Sequence, residues 1–143
     1  MILRGRRVAY LDQGAGVPLV FLHAGGSSSK QWAKTASFLS DGFRIIAPDL
    51  WGFGGTDAWP GTTALTHDDQ AHLVVSVIED AGVGAAHLVG HSYGGATALR
   101  LAVGQRDRVK TLTLIEPIVT PLLKHMSPLS QPEAVATSIR RFL

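Results

Sequence analysis

An α/β architecture, a mostly parallel sheet with helices on both faces, is what this sequence of 143 residues predicts, and three observations predict it. Strand-like and helix-like stretches alternate along the chain, so each link between strands is one crossover, and such crossovers produce parallel pairs. Pro18-Leu19-Val20-Phe21-Leu22 is apolar without a break, the pattern of a strand covered on both faces. A second apolar run, 85–89, turns through Gly90-His91-Ser92-Tyr93-Gly94 straight into the helix formers of 96–102.

From the N-terminus, Arg7-Val8-Ala9-Tyr10-Leu11-Asp12 alternates polar and apolar and stops at Gly14-Ala15-Gly16. It is expected to be an edge strand of a hairpin begun by residues 1–3, with Arg4-Gly5-Arg6-Arg7 as the solvated turn. The strand at 18–22 runs into His23-Ala24-Gly25-Gly26-Ser27-Ser28-Ser29, rich in free backbone N–H groups and poor in bulk. Residues 31–39 then supply a helix with Trp32, Ala36 and Leu39 on one face. A short strand at 43–47 leads to a glycine-rich loop at 48–57. Thr66 is a fair N-cap, Asp68 and Asp69 suit the positive end of the helix it opens, and Gly82 ends that helix. Its apolar stripe is Ala71, Val74, Val75 and Ile78. A strand at 86–91, a helix from Tyr93 to about Val103 and a strand at 109–115 complete the alternation. Past Pro117 the pattern loosens through three prolines, and 133–143 reads as a helix.

Composition excludes several function classes. Thirteen basic against eleven acidic residues leave a formal charge of +2 with no dense basic face, so nucleic acid is not an expected partner. The absence of cysteine rules out disulfides, thiolate catalysis and cysteine-metal sites. Neither a signal-peptide core nor a run of membrane-spanning length is present, so a cytoplasmic chain that meets no membrane is expected. No metal or cofactor is called for.

The chemistry centres on Gly90-His91-Ser92-Tyr93-Gly94. A serine on a one-residue corner between strand and helix takes strained backbone angles, and the residues two before and two after it must be small. Gly90 and Gly94 meet that demand. The corner lifts the Ser92 hydroxyl clear of the sheet, open to a base on one side and a substrate carbonyl on the other. The N–H of Tyr93, at the helix start, faces the place where charge would build on the carbonyl oxygen. His91 is a packing residue and not the base, because adjacent strand residues point to opposite faces.

The order of these features resembles the α/β-hydrolase fold, in its small serine-type members with a lid. The matching residues are Leu22-His23-Ala24-Gly25-Gly26, Trp32, Pro48-Asp49-Leu50-Trp51-Gly52-Phe53-Gly54, Gly90-His91-Ser92-Tyr93-Gly94-Gly95 and Leu114-Ile115-Glu116-Pro117. The resemblance implies Ser92 as nucleophile and the backbone N–H groups of Tyr93 and Gly25 as an oxyanion hole. It places the N-terminal part of the hydrolase core at 1–119 and the start of a lid at 120–143. Relatives often carry His-Gly where this chain has His23-Ala24, so a positive φ there would cost about 1 kcal/mol and shift the hole. His23 organises its loop, and Asp49, which precedes the nucleophile, is a bracing carboxylate and not the catalytic acid. Relatives that open epoxides use aspartate at the corner; serine favours acyl transfer from a small ester-like or other carbonyl substrate to water through an acyl-enzyme. Trp51, Phe53 and Trp59 line an apolar pocket or belong to the core.

Beyond Ser92 the acids are Asp107, Glu116 and Glu133, and His125 is the sole histidine. Asp107 precedes its strand, at the wrong end of the sheet; Glu116 ends a strand on the right side and is the best acid available. His125 is the only base on offer, where a lid should begin. The leading expectation is therefore a serine hydrolase cut to its first half, lacking its last strands and catalytic histidine, and crippled as this chain. Residues 109–115 would then be a bare edge inviting self-association. An acyltransferase on the same fold, or a non-catalytic ligand-binding protein that assembles through that edge, are the alternatives.

Overall fold

The computed structural model describes residues 1–39 and 41–118. Two short strands, β1 (Ile2–Leu3) and β2 (Arg6–Arg7), pair antiparallel about a turn in which Arg4 and Gly5 take φ of 50° and 72°. The expected hairpin begun by residues 1–3 forms, but it ends where Met1 and Val8 exchange backbone hydrogen bonds (3.0 Å each) and does not continue to Asp12. The Val8 side chain enters the core at 1% exposure, and the flanking amides of Arg7 and Ala9 donate to the Asp57 and Thr56 side chains. The rest of the alternating stretch becomes β3 (Tyr10–Gly14), which pairs antiparallel with a different strand, β5 (Phe43–Pro48).

The main sheet has five strands in the order β3-β5-β4-β6-β7, where β4 is Val17–Leu22, β6 is Ala86–His91 and β7 is Val109–Ile115. All neighbours except β3 with β5 run parallel, as the crossovers require. Among the described strands β7 is an edge, with Ile115 41% exposed.

Both faces are covered, which explains the unbroken apolar strands. Val20 and Leu22 of β4, Ile46 of β5 and Leu88 of β6 pack with Val74, Val77 and Ile78 of α2 (His67–Asp80) and Ala98 and Leu101 of α3 (Tyr93–Gly104). Phe21, Ile45 and Ala47 point the other way, to Trp32 and to Ala36 of α1 (Ala33–Leu39). The expected helix at 31–39 begins as a 3-10 turn, Ser29–Trp32, capped by Ser28. Thr66 caps α2 in a reciprocal capping box with Asp69, whose side chain takes the Thr66 amide (3.0 Å). No helix among the described residues is long and apolar enough to cross a membrane.

Candidate active site

Ser92 stands between the end of β6 and the start of α3 with φ of 52° and ψ of −111°. Holding an L residue there costs on the order of 1–3 kcal/mol, so the surroundings must impose it. The Ser92 amide donates to the Ile115 carbonyl (2.9 Å), and its carbonyl accepts from the amides of Ala96 (3.1 Å) and Ile118 (3.2 Å). Glycines allow the close approach. A Cβ on Gly90 would stand 2.6 Å from the Gly94 carbonyl oxygen, and one on Gly94 would stand 2.5 Å from the carbonyl oxygens of Leu22 and His23. Real Cβ atoms do not come so near, which is why the residues two before and two after the serine carry none. Ser92 is half-buried, and no side chain among the described residues hydrogen-bonds its hydroxyl.

Tyr93 is the first residue of α3, so its N–H has no acceptor one turn back and lies at the positive end of the helix. Gly25, in the loop after β4, lies alongside: a Cβ added there would be 3.5 Å from the Tyr93 Cβ, in ordinary contact. The fold thus gathers Ser92, Tyr93 and Gly25 at the C-terminal ends of β4 and β6. Ala24 does not take a positive φ; that conformation falls at Gly26 (74°), where it carries no Cβ penalty, so the strain expected for an alanine at position 24 is absent.

His23 is fully buried, and its Nε2 accepts from the Leu50 amide (3.0 Å). An amide can only donate, so the ring proton is on Nδ1 and donates to the Ala24 carbonyl (2.7 Å). Burial pushes its pKa below the ordinary histidine value. His91 is half-buried with Nδ1 2.9 Å from Gln31 Nε2, so it is hydrogen-bonded and not only packed. Asp49 braces two loops: Oδ1 accepts from the Ser29 amide (2.6 Å) and Oδ2 from the Gly55 amide (2.7 Å). His67 meets Thr97, and His87 meets Thr111.

Glu116 follows β7 at the same end of the sheet as Ser92, exposed and with φ of 43°. Asp107 lies in the 3-10 turn Arg106–Arg108, where β7 begins beside Ala86, at the opposite end from Ser92. Glu133, His125 and the region 120–143 lie outside the described residues.

Known proteins share this fold. A family model described as alpha/beta hydrolase fold matches residues 17–139. The chain belongs to the α/β hydrolase fold family. It is 35% identical over 115 residues to the dihydrolipoyllysine-residue acetyltransferase component of an acetoin cleaving system from Cupriavidus necator, covering 80% of this chain and 30% of that protein. It is also 35% identical over 118 residues to a 2-hydroxymuconate semialdehyde hydrolase of Pseudomonas sp. strain CF600, covering 80% of this chain and 41% of the relative. A thermophilic esterase from Thermogutta terrifontis superposes with a TM-score of 0.73 at 32% identity, over 78% of this chain and 41% of that one. The chain therefore spans less than half the length of these α/β hydrolase fold proteins.

Within this α/β hydrolase fold chain the three loop aromatics divide. Trp51 is core at 1% exposure, and the half-buried Trp59 packs on it edge-on, ring centroids 5.8 Å apart. Both border a cleft of about 280 Å³ with Leu3, Arg4 and His72, which does not include Ser92. Phe53 alone approaches the candidate site, with ring contacts to His23 (5.4 Å) and Tyr93 (5.8 Å). Gln70 escaped the sequence reading. It is fully buried on α2, its Oε1 accepting from the Trp51 amide (2.9 Å) and its Nε2 donating to the Tyr93 hydroxyl (3.2 Å). The available signal was a polar residue one turn before Val74 on the apolar face.

Proposed function

We propose that Ser92 is the nucleophile of a hydrolase that acts on ester-like or other carbonyl substrates through an acyl-enzyme. The observation that carries this is the positive φ of Ser92, enforced by contacts that only glycine at positions 90 and 94 permits. Strain kept at one serine, with its hydroxyl left without a partner among the described residues, suits a nucleophile better than a turn. The amides of Tyr93 and Gly25 are the proposed oxyanion donors. Glu116 is the acid and His125 the base that this chain offers, and because His125 falls where a lid would begin and not on a loop after a last strand, the chain is proposed to be slow by several orders of magnitude.

The test is fluorophosphonate labelling read by intact mass, with and without a large excess of imidazole as an external base. Trace labelling that imidazole increases, and that Ser92→Ala removes, is expected. Equal labelling of Ser92→Ala would sink the assignment, and fast labelling without imidazole would show that a base is already in place.

A second reading, transfer of the acyl group to an acceptor other than water, is favoured by one observation: the relative named as an acetyltransferase component. Product analysis with a competing thiol separates the two.

A further inference from the structure

We propose that Gln31 and His91 act as positioning residues that tie the Gly25 loop to the Ser92 turn, setting the two oxyanion donors in register. This deepens the reading of Ser92 as nucleophile and rests on it. The Ala24 amide can only donate, and it donates to Gln31 Oε1 (2.9 Å). The Gln31 side chain is thereby oriented with its NH2 outward, and that group reaches His91 Nδ1 at 2.9 Å. Nδ1 must then accept, which places the His91 ring proton on Nε2. The polarity of one backbone amide so determines a histidine tautomer two bonds away.

The tie lies just past the last pair of β4 with β6, Leu22 with Gly90, and joins β6 at the residue before Ser92 to the loop at the residue before Gly25, where the strand ladder no longer holds them. On the far side of Ala24 its carbonyl accepts from His23 Nδ1 (2.7 Å) and from the Ser27 amide (3.1 Å). Peptide planarity makes the Gly25 N–H point opposite to that carbonyl. Both ends of Ala24 are therefore held, and the direction of the Gly25 N–H follows from them. Tyr93 needs no such device, because the helix aims its N–H.

Nuclear magnetic resonance on the intact, isotopically labelled chain tests this without relying on turnover, so its failure is distinct from failure of the nucleophile assignment. In the wild type, His91 Nδ1 should show the nitrogen signature of an unprotonated acceptor; a protonated Nδ1 would overturn the proposal. Gln31→Leu and His91→Phe should each speed exchange of the Ala24 amide about tenfold and shift the Gly25 amide resonance. That is the loss expected when one hydrogen bond of about 1.4 kcal/mol goes. Leu88 and Leu101, in the core, should not move, which separates a local change from unfolding. His91→Asn, whose Oδ1 can take the place of Nδ1, should restore the wild-type exchange. An Ala24 amide indifferent to His91→Phe, or an Asn variant no better than Phe, would refute the tie.

Discussion

The Ser92 amide donates to the Ile115 carbonyl at 2.9 Å, so the turn that carries the candidate nucleophile is fastened to the end of the neighbouring parallel strand. Glu116 follows directly from the acceptor.

Strain at that turn is measurable. Ser92→Gly, which tolerates φ of 52°, is expected to stabilise the chain by about 1 kcal/mol in urea denaturation, while Ser92→Ala keeps the strain and stays within about 0.5 kcal/mol of wild type. Equal midpoints for the two variants would contradict an imposed backbone.

Crowding around the glycines sets a graded series. Gly90→Ala and Gly94→Ala should each lower stability by about 1–3 kcal/mol, because the added Cβ meets backbone atoms at 2.5–2.6 Å. Gly25→Ala meets only the Tyr93 side chain, at 3.5 Å and beyond, and should cost less than about 0.5 kcal/mol. Thermal melts of the three report the order.

Gln70 holds buried polar groups of two segments. Gln70→Leu leaves the Trp51 amide without its acceptor and is expected to cost about 1–3 kcal/mol, whereas an exposed change such as Lys34→Ala should cost almost nothing. Denaturant midpoints of the two, side by side, decide it.

His23 gives a pH dependence with a definite sign. Burial lowers its pKa in the folded chain, so the unfolded chain takes up the proton first, near pH 6.5. Its stability contribution is complete above that value and is lost as pH falls through the folded pKa. Urea midpoints at about pH 7.5 and pH 5.5 should therefore separate more for wild type than for His23→Gln, which keeps an acceptor for the Leu50 amide but does not titrate. Parallel shifts in both proteins would exclude His23 as the source.

Short-range rules made much of the chain legible. Alternation and unbroken apolar runs predict the parallel sheet, the Thr66 cap and Gly82 stop bound α2 closely, and the spacing of Gly90 and Gly94 marks the turn at Ser92. Each of these depends on residues within about one turn or one strand of each other, and neighbours along the chain decide them. Partners distant in sequence were not legible in the same way. The break of the first strand at Val8, the choice of Phe43–Pro48 as the partner of Tyr10–Gly14, the bond from Gln31 to His91 and the burial of Gln70 all join segments 19 to 60 residues apart. Tertiary packing alone settles such contacts, because a buried amide or side chain takes whichever acceptor the assembled layers bring within about 3 Å, and nothing local specifies which one arrives.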